Sequence, residues 1–312
     1  LKTENPQKKT SIGGSALIEG VMMRGPRVSA MAVRKPDGTI DLSEWPSVKG
    51  EIPWYKKTPF IRGIFNFIDS MAISYRCLTR SAEIAGMEEE EEPTGFEKKL
   101  YDLLGDKVGA AIGVVSLILG LLLAVCLFIF LPTALVSLLR GVTERRIILT
   151  LAEAVVKIAI FITYIWLISK MPDIRRTFEY HGAEHKTIAC YEAGEELTVE
   201  NVRRHTRFHP RCGTSFILIV LIVSALVFSF VSWDNLIGRV LLKLVCLPVV
   251  IGIAYEIIKL AGRSENPIMK CVSQPGLWTQ RLTTREPDDS QIECAIAAMK
   301  PCIPENSDED RW

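Results

Sequence analysis

Residues 108–139 read VGAAIGVVSLILGLLLAVCLFIFLPTALVSLL, without one charged side chain. A helix needs about 20 apolar residues to cross a bilayer, so this run is overlong. Pro132 near its end predicts a tilt or a kink. Three further apolar runs follow, at 148–168, 215–233 and 240–258, the last with Pro248 at its middle. Buried helices of a large soluble core are the alternative reading. Four such runs in one chain instead predict a mainly α membrane protein with about four transmembrane helices.

The basic residues orient the chain. Lys and Arg number 16 in residues 1–107, 8 in 170–213 and 7 in 259–312, against 3 in 140–147 and 1 in 234–239. With four spans the basic segments fall on one side, 31 against 4. The positive-inside rule places that side, with both termini, in the cytoplasm. The net charge of +1 argues against an electrostatic DNA-binding protein, and no DNA partner is expected. Eight cysteines without a CxxC pair, in a cytoplasmic setting, predict free thiols. Residues 1–25 lack the apolar stretch of a cleavable signal peptide.

Six segments follow. Residues 1–58 form an N-terminal cytoplasmic segment with a small β unit at 11–50: Val28–Arg34 alternates as a strand, Asp37-Gly38 marks a hairpin turn, and Thr39–Leu42 returns. Gly13, Gly14, Gly20 and Gly25 fit neither phosphate-binding glycine motif and read as structural turns. Residues 59–107 comprise an amphipathic helix at 59–82, able to lie at the interface or pack on the spans, and an acidic linker with five glutamates at 88–92. Residues 108–169 hold spans one and two, 214–260 hold spans three and four, and 261–312 are a cytoplasmic tail with a helix from about Asp288 to Met299. Inside the spans, Glu153, Lys157 and Lys243 predict an ion pair between helices. No chain of acids continues across the bilayer, which argues against transport.

The remaining segment, 170–213, carries all four histidines, as His181/His185 and His205/His209. On a helix, side chains four apart lie one above the other, so each pair can reach one ion. His181-Gly-Ala-Glu184-His185 is an H-x-x-E-H string, in which the glutamate can serve as general base. Asp173 is expected to cap a helix running to Ala193, with Gly194 ending it. Thr198 would cap a second helix to about Arg207, giving a cytoplasmic hairpin with facing histidines. A divalent metal, zinc foremost, would be held by His181 and His185 with His209 as third ligand. Cys212, Glu192, His205 or water would complete the set. For Glu184, catalysis stands against a role in orienting a histidine. For Cys212, ligation stands against simple burial at a helix start.

The strings GGSALIEGVMMRGP at 13–26, EYHGAEHK at 179–186, HPRCGTSF at 209–216 and PGLWTQRLTTREPDD at 275–289 span nearly the whole chain. They resemble the YqhQ-like family of uncharacterised bacterial membrane proteins, a domain of unknown function sometimes labelled a predicted metal-dependent enzyme. The resemblance implies an inner-membrane or related organellar setting. It carries over His181, Glu184, His185, His209 and Cys212, but not His205, and it supplies no substrate.

Two functions of different class follow. One is a metal-dependent hydrolase at the cytoplasmic surface, with Glu184 as base, acting on a peptide or a lipid-linked ester. The other is a non-catalytic membrane scaffold or assembly factor. There the metal staples the hairpin, and the basic face binds a protein or ribonucleoprotein partner.

Overall fold

The computed structural model describes residues 9–47, 53–87, 108–141, 143, 145–230, 235–263, 266–306 and 310. The glutamate run at 88–92 lies outside the described residues. The chain forms two compact units, Leu1–Met87 with Ile162–Val223 and Pro248–Trp312, and Glu88–Phe161 with Ser224–Leu247.

The first unit is built on an antiparallel sheet of β1 (Gly13–Leu17), β2 (Gly20–Arg24), β3 (Val28–Arg34) and β4 (Ile40–Pro46), in sequential order. Alternation sorts its side chains to two faces. Val21 pairs with Ala32 and Met23 with Ala30, and these four face one core. Met22, Met31 and Val33 face the other. The first core is completed by α5 (Pro172–Glu192), α6 (Val199–Arg204) and α10 (Asp289–Met299), through Tyr180, Ala183, Ile188, Val202, Ile292 and Met299. The second is covered by α1 (Ile61–Ile84), through Cys77, Ile73 and Ile84. A small sheet buried on both faces explains why β2 and β3 are apolar at nearly every position. The hairpin signal at Asp37-Gly38 is realised, with Gly38 at φ +85°.

The expected glycine turns are met in part, since Gly20 follows the β1–β2 turn and Gly25 opens the β2–β3 turn. Gly13, Gly14, Gly20 and Gly25 are not among the positive-φ residues. The β1–β2 turn instead places Glu19 at φ +52°, its carboxylate held by Arg176 and by the Tyr180 hydroxyl at 3.2 Å. The glycines serve close approach: a Cβ on Gly14 would stand 2.9 Å from the Glu184 carboxyl carbon.

Helix α1 has two kinds of neighbour within this unit. Its later turns pack on the sheet. Its first turns meet α8 (Leu236–Arg263), where Gly63 lies against Tyr255 and Arg62 pairs with Glu256. Its outer stripe of Phe65, Ile68, Met71, Tyr75 and Leu78 is exposed.

Among the described residues, three helical stretches are long and apolar enough to cross a membrane: Gly113–Leu138, Ile147–Ile168 and Leu236–Ala261. The first joins α2 (Val108–Val125) to α3 (Leu131–Leu138) through a π-helical turn, Cys126–Phe130. That turn precedes Pro132, so the disturbance expected from the proline is taken up by one wide turn. The second lies in α4 (Arg146–Ile168). The expected third span is shorter than foreseen: α7 (Gly213–Phe228) has 16 apolar-rich residues, and 231–234 lie outside the described residues. Within the second unit Glu153 accepts from Lys157 at 2.9 Å and from Lys243. Lys243 also donates to Thr133 Oγ1 at 2.8 Å. Both ammonium groups face the Phe228 ring, at 4.6 and 5.6 Å from its centre. The tail helix α9 (Pro267–Thr283) runs through Pro275, and Asp288 closes a capping box with Gln291 ahead of α10.

Candidate metal centre

Helix α5 begins behind Met171 with Pro172 in its first turn. The expected cap, Asp173, lies inside that turn, near the positive end of the helix dipole. Gly194, at φ +71°, follows its C-terminus. Its middle, residues 182–188, is buried although it contains Glu184, His185, Lys186 and Thr187. Buried polar groups require partners. Lys186 finds the Arg203 carbonyl at 3.0 Å and Glu286 at 2.8 Å, and Thr187 the Ala183 carbonyl at 2.8 Å. Two atoms of this stretch remain buried with no hydrogen-bond partner among the described residues: Glu184 Oε2 and His185 Nε2.

The two histidines of the H-x-x-E-H string are held alike. His181 Nδ1 lies 2.8 Å from the Thr283 carbonyl, and His185 Nδ1 lies 2.6 Å from the Arg207 carbonyl. A carbonyl only accepts, so each Nδ1 carries a proton and donates, which leaves each Nε2 as the atom that can serve as a ligand. Metal-binding histidines are commonly fixed in this way. The rings stand 4.4 Å apart, and His181 Nε2 lies 3.1 Å from Cys212 Sγ. One ligand atom from each of His181, His185 and Cys212 falls within 4.8 Å of the others.

Cys212 sits at the start of α7, its sulfur 3.4 Å from the Thr214 amide and 3.2 Å from that residue's hydroxyl. Burial alone would raise the thiol. The neighbouring imidazoles of His181 and His185 and the contact with His181 outweigh it and hold the group well below the usual thiol range. For His181 burial favours the neutral ring, yet the sulfur beside it prevails and raises the imidazole to about 9. Without an ion, the two form a thiolate–imidazolium pair. Burial raises the Glu184 carboxyl, against the pull of both histidines and the Gly14 amide.

His209 is placed differently from the spacing argument. Helix α6 stops at Arg204, so His205 is its C-cap and His209 lies in the following loop. The two do not form a helical pair. His209 is buried with its ring 5.6 Å from that of His185, but its Nε2 lies 3.4 Å from Arg211 and 3.6 Å from Glu192. Burial lowers its pKa. Glu192 in turn binds Arg211 and the Thr10 amide at 2.8 Å. Among the described residues, then, His181, His185 and Cys212 converge, Glu184 stands beside them, and His209 adjoins the Glu192–Arg211 ion pair.

Several contributors carried no signature of ligation. The C-terminal string 275–289 wraps the centre. The Thr283 carbonyl orients His181, and Gln280 brackets His209, accepting from its amide at 2.8 Å and donating to its carbonyl at 2.7 Å. Arg207 donates to the Thr284 carbonyl at 3.0 Å. Gly182 lets the Arg285 backbone lie directly on α5, and Gly14 does the same for Glu184. Apart from Arg207, which lies in none of them, their signal in the sequence was membership of the quoted strings.

Fold and site thus define a helical protein with long apolar helices and an α/β unit that gathers two imidazoles, a thiol and a buried carboxyl. The chain belongs to the family described as a protein of unknown function, DUF1385, whose model matches residues 58–305. It is 38% identical, over 295 residues covering 93% of this chain and 92% of the relative, to "Uncharacterized protein YqhQ" of Bacillus subtilis (strain 168). No solved structure matches.

Proposed function

We propose that this is an integral membrane protein whose cytoplasmic unit holds one divalent ion, of zinc type, on His181, His185 and Cys212, and uses Glu184 as the base of a hydrolytic reaction. The observation that carries this reading is the pair of unsatisfied buried atoms, His185 Nε2 and Glu184 Oε2, beside a thiol held toward its anion. Leaving such atoms unpaired costs about 1–3 kcal/mol each, and an ion with its ligands removes that cost. Two neutral imidazoles and one thiolate suit zinc, with one position left over. A bound ion of this kind supplies Lewis acidity. The chain's own residues do the rest: Thr283 and Arg207 fix the rings, Gly14 positions the carboxyl, and burial raises the Glu184 carboxyl, which makes it a better proton acceptor.

The shared core supports the membrane reading. Strands at 13–46 and helices at 172–192 and 289–299 pack together, so all three lie on one side of a bilayer. An even number of crossings must then separate them. Two apolar helices precede residue 172. Helix α8 needs a partner crossing, and α7 with its flanks is the segment available. The excess of Lys and Arg assigns the packed side to the cytoplasm, the membrane being the bacterial inner membrane.

Burial favours a second reading. His185, Glu184 and Cys212 are 1%, 5% and 7% exposed, as in a closed structural site. The ion would then staple α5 to the start of α7 in a scaffold whose basic face binds a protein or ribonucleoprotein. Glu184→Gln separates the two. Under hydrolysis it keeps the metal and abolishes turnover of an ester and peptide panel, and a strain carrying it loses function. Wild-type behaviour of that strain, with His181→Ala unfolded, would select the staple.

A further inference from the structure

The fourth histidine, which the centre leaves out, has its own neighbours. His205 caps the C-terminus of α6, and its Nε2 is buried without a hydrogen-bond partner. Cys190, on the last turn of α5, and Glu195, just past the end of that helix, face it. One ligand atom from each of Cys190, Glu195 and His205 lies within 4.8 Å of the others. Glu195 Oε2 is 3.3 Å from His205 Nε2 and 3.8 Å from Arg204. The Cys190 thiol has only a long contact, 3.7 Å, to the Glu196 carbonyl. Cys190 is fully buried, whereas the Glu195 side chain is 43% exposed, so the group is closed on the protein side and open on the solvent side.

We propose that Cys190, Glu195 and His205 form a second metal site, taking a zinc-type divalent ion that ties the end of α5 to the end of α6. Sulfur, nitrogen and carboxylate oxygen on three sides suit such an ion, with a solvent water as fourth ligand. On binding, the Cys190 thiol gives its proton to solvent. Thiolate and carboxylate then balance the two charges of the ion. The ends of the closed loop, residues 190 and 205, flank the segment that brings Arg207 to His185, so this ion would steady one of the two carbonyls that orient the principal site. It does not depend on that site being occupied.

The test uses the full chain in detergent, stripped with a chelator and refilled with Co(II). Bound metal is counted by elemental mass spectrometry, and the thiolate-to-cobalt charge-transfer band is recorded. Wild type is expected to bind two ions per chain. His205→Ala is expected to bind one fewer, with its metal-free unfolding midpoint unchanged. Glu195→Gln alters a largely exposed group and leaves folding intact; it should weaken the second ion by about 10–100-fold, on the scale of ligand-shell changes. His181→Ala should retain an ion whose thiolate band Cys190→Ser removes. If the principal site is misassigned, wild type binds one ion and His205→Ala removes it. Unchanged stoichiometry and affinity in both His205→Ala and Glu195→Gln would overturn the second site, whatever the first site does.

Discussion

Glu153, Lys157 and Lys243 satisfy one another, whereas Glu184 and His185 each leave a buried atom without a partner. Both groups are polar clusters kept from water. In the helical unit two ammonium groups share one carboxylate and a hydroxyl, so the charges close on themselves. In the α/β unit the carbonyls of Thr283 and Arg207 hold the two rings, and among the described residues nothing satisfies Glu184 Oε2 or His185 Nε2. The first arrangement reads as structure; the second reads as a receptor for an ion.

Matched charge removals sharpen the contrast most. Glu153→Gln leaves two buried lysines facing each other and is expected to destabilise the helical unit by about 3–5 kcal/mol. Glu184→Gln should cost less than about 1 kcal/mol of stability, since an amide keeps the size of the carboxyl and its contact with the Gly14 amide. Thermal unfolding in detergent checks both. Equal losses would erase the distinction between the clusters.

Metal removal comes next. With free zinc at 100 to 1,000 times Kd, the ion at the principal site is expected to add about 2.7–4.1 kcal/mol of stability. Chelation should lower the stability of wild type by that increment more than it lowers that of His181→Ala, which keeps only the second ion. Unfolding scans with and without chelator report it.

Smaller effects follow. Gly14→Ala pushes a methyl group onto the Glu184 carboxyl and the Met22 carbonyl, 2.9 and 2.7 Å away, and should cost about 1–3 kcal/mol by overpacking. Gly13→Ala, where a methyl meets nothing within 4 Å, is the control. In the metal-free protein His181 should titrate near 9 by NMR. Removing the sulfur charge with Cys212→Ser takes away what favours the imidazolium, so the value should fall back toward the ordinary one of about 6.5. An unchanged value would break the pairing of these two groups.

Much of this was legible in the sequence because it rests on side-chain patterns. The β3 strand, the Asp37-Gly38 turn, the Thr198 cap, the helix ending at Met299 and the Glu153–Lys243 link all follow from residue type and spacing. The H-x-x-E-H string gave His181, Glu184 and His185 directly. What was not legible depends on backbone. Carbonyls of Thr283 and Arg207 orient the rings, and a carbonyl has no signature in sequence. His205 and His209 share the i,i+4 spacing of the first pair, but α6 ends at Arg204, so the same spacing carries no shared helix face. One His went to Glu192 and the other to Cys190 and Glu195. The glycines of 13–26 were read as turns, whereas close contact explains Gly14 against Glu184, Gly20 against Ala32 and Gly25 against Cys302.

The most direct measurement is the metal content of detergent-purified wild type beside His181→Ala and Cys212→Ser, by elemental mass spectrometry after mild chelation and refilling with zinc. Convergence of two imidazoles and a thiol predicts that each variant holds one zinc fewer per chain than wild type. Wild type, His181→Ala and Cys212→Ser holding the same amount, or none after loading, would contradict the claim that these three residues form a metal centre.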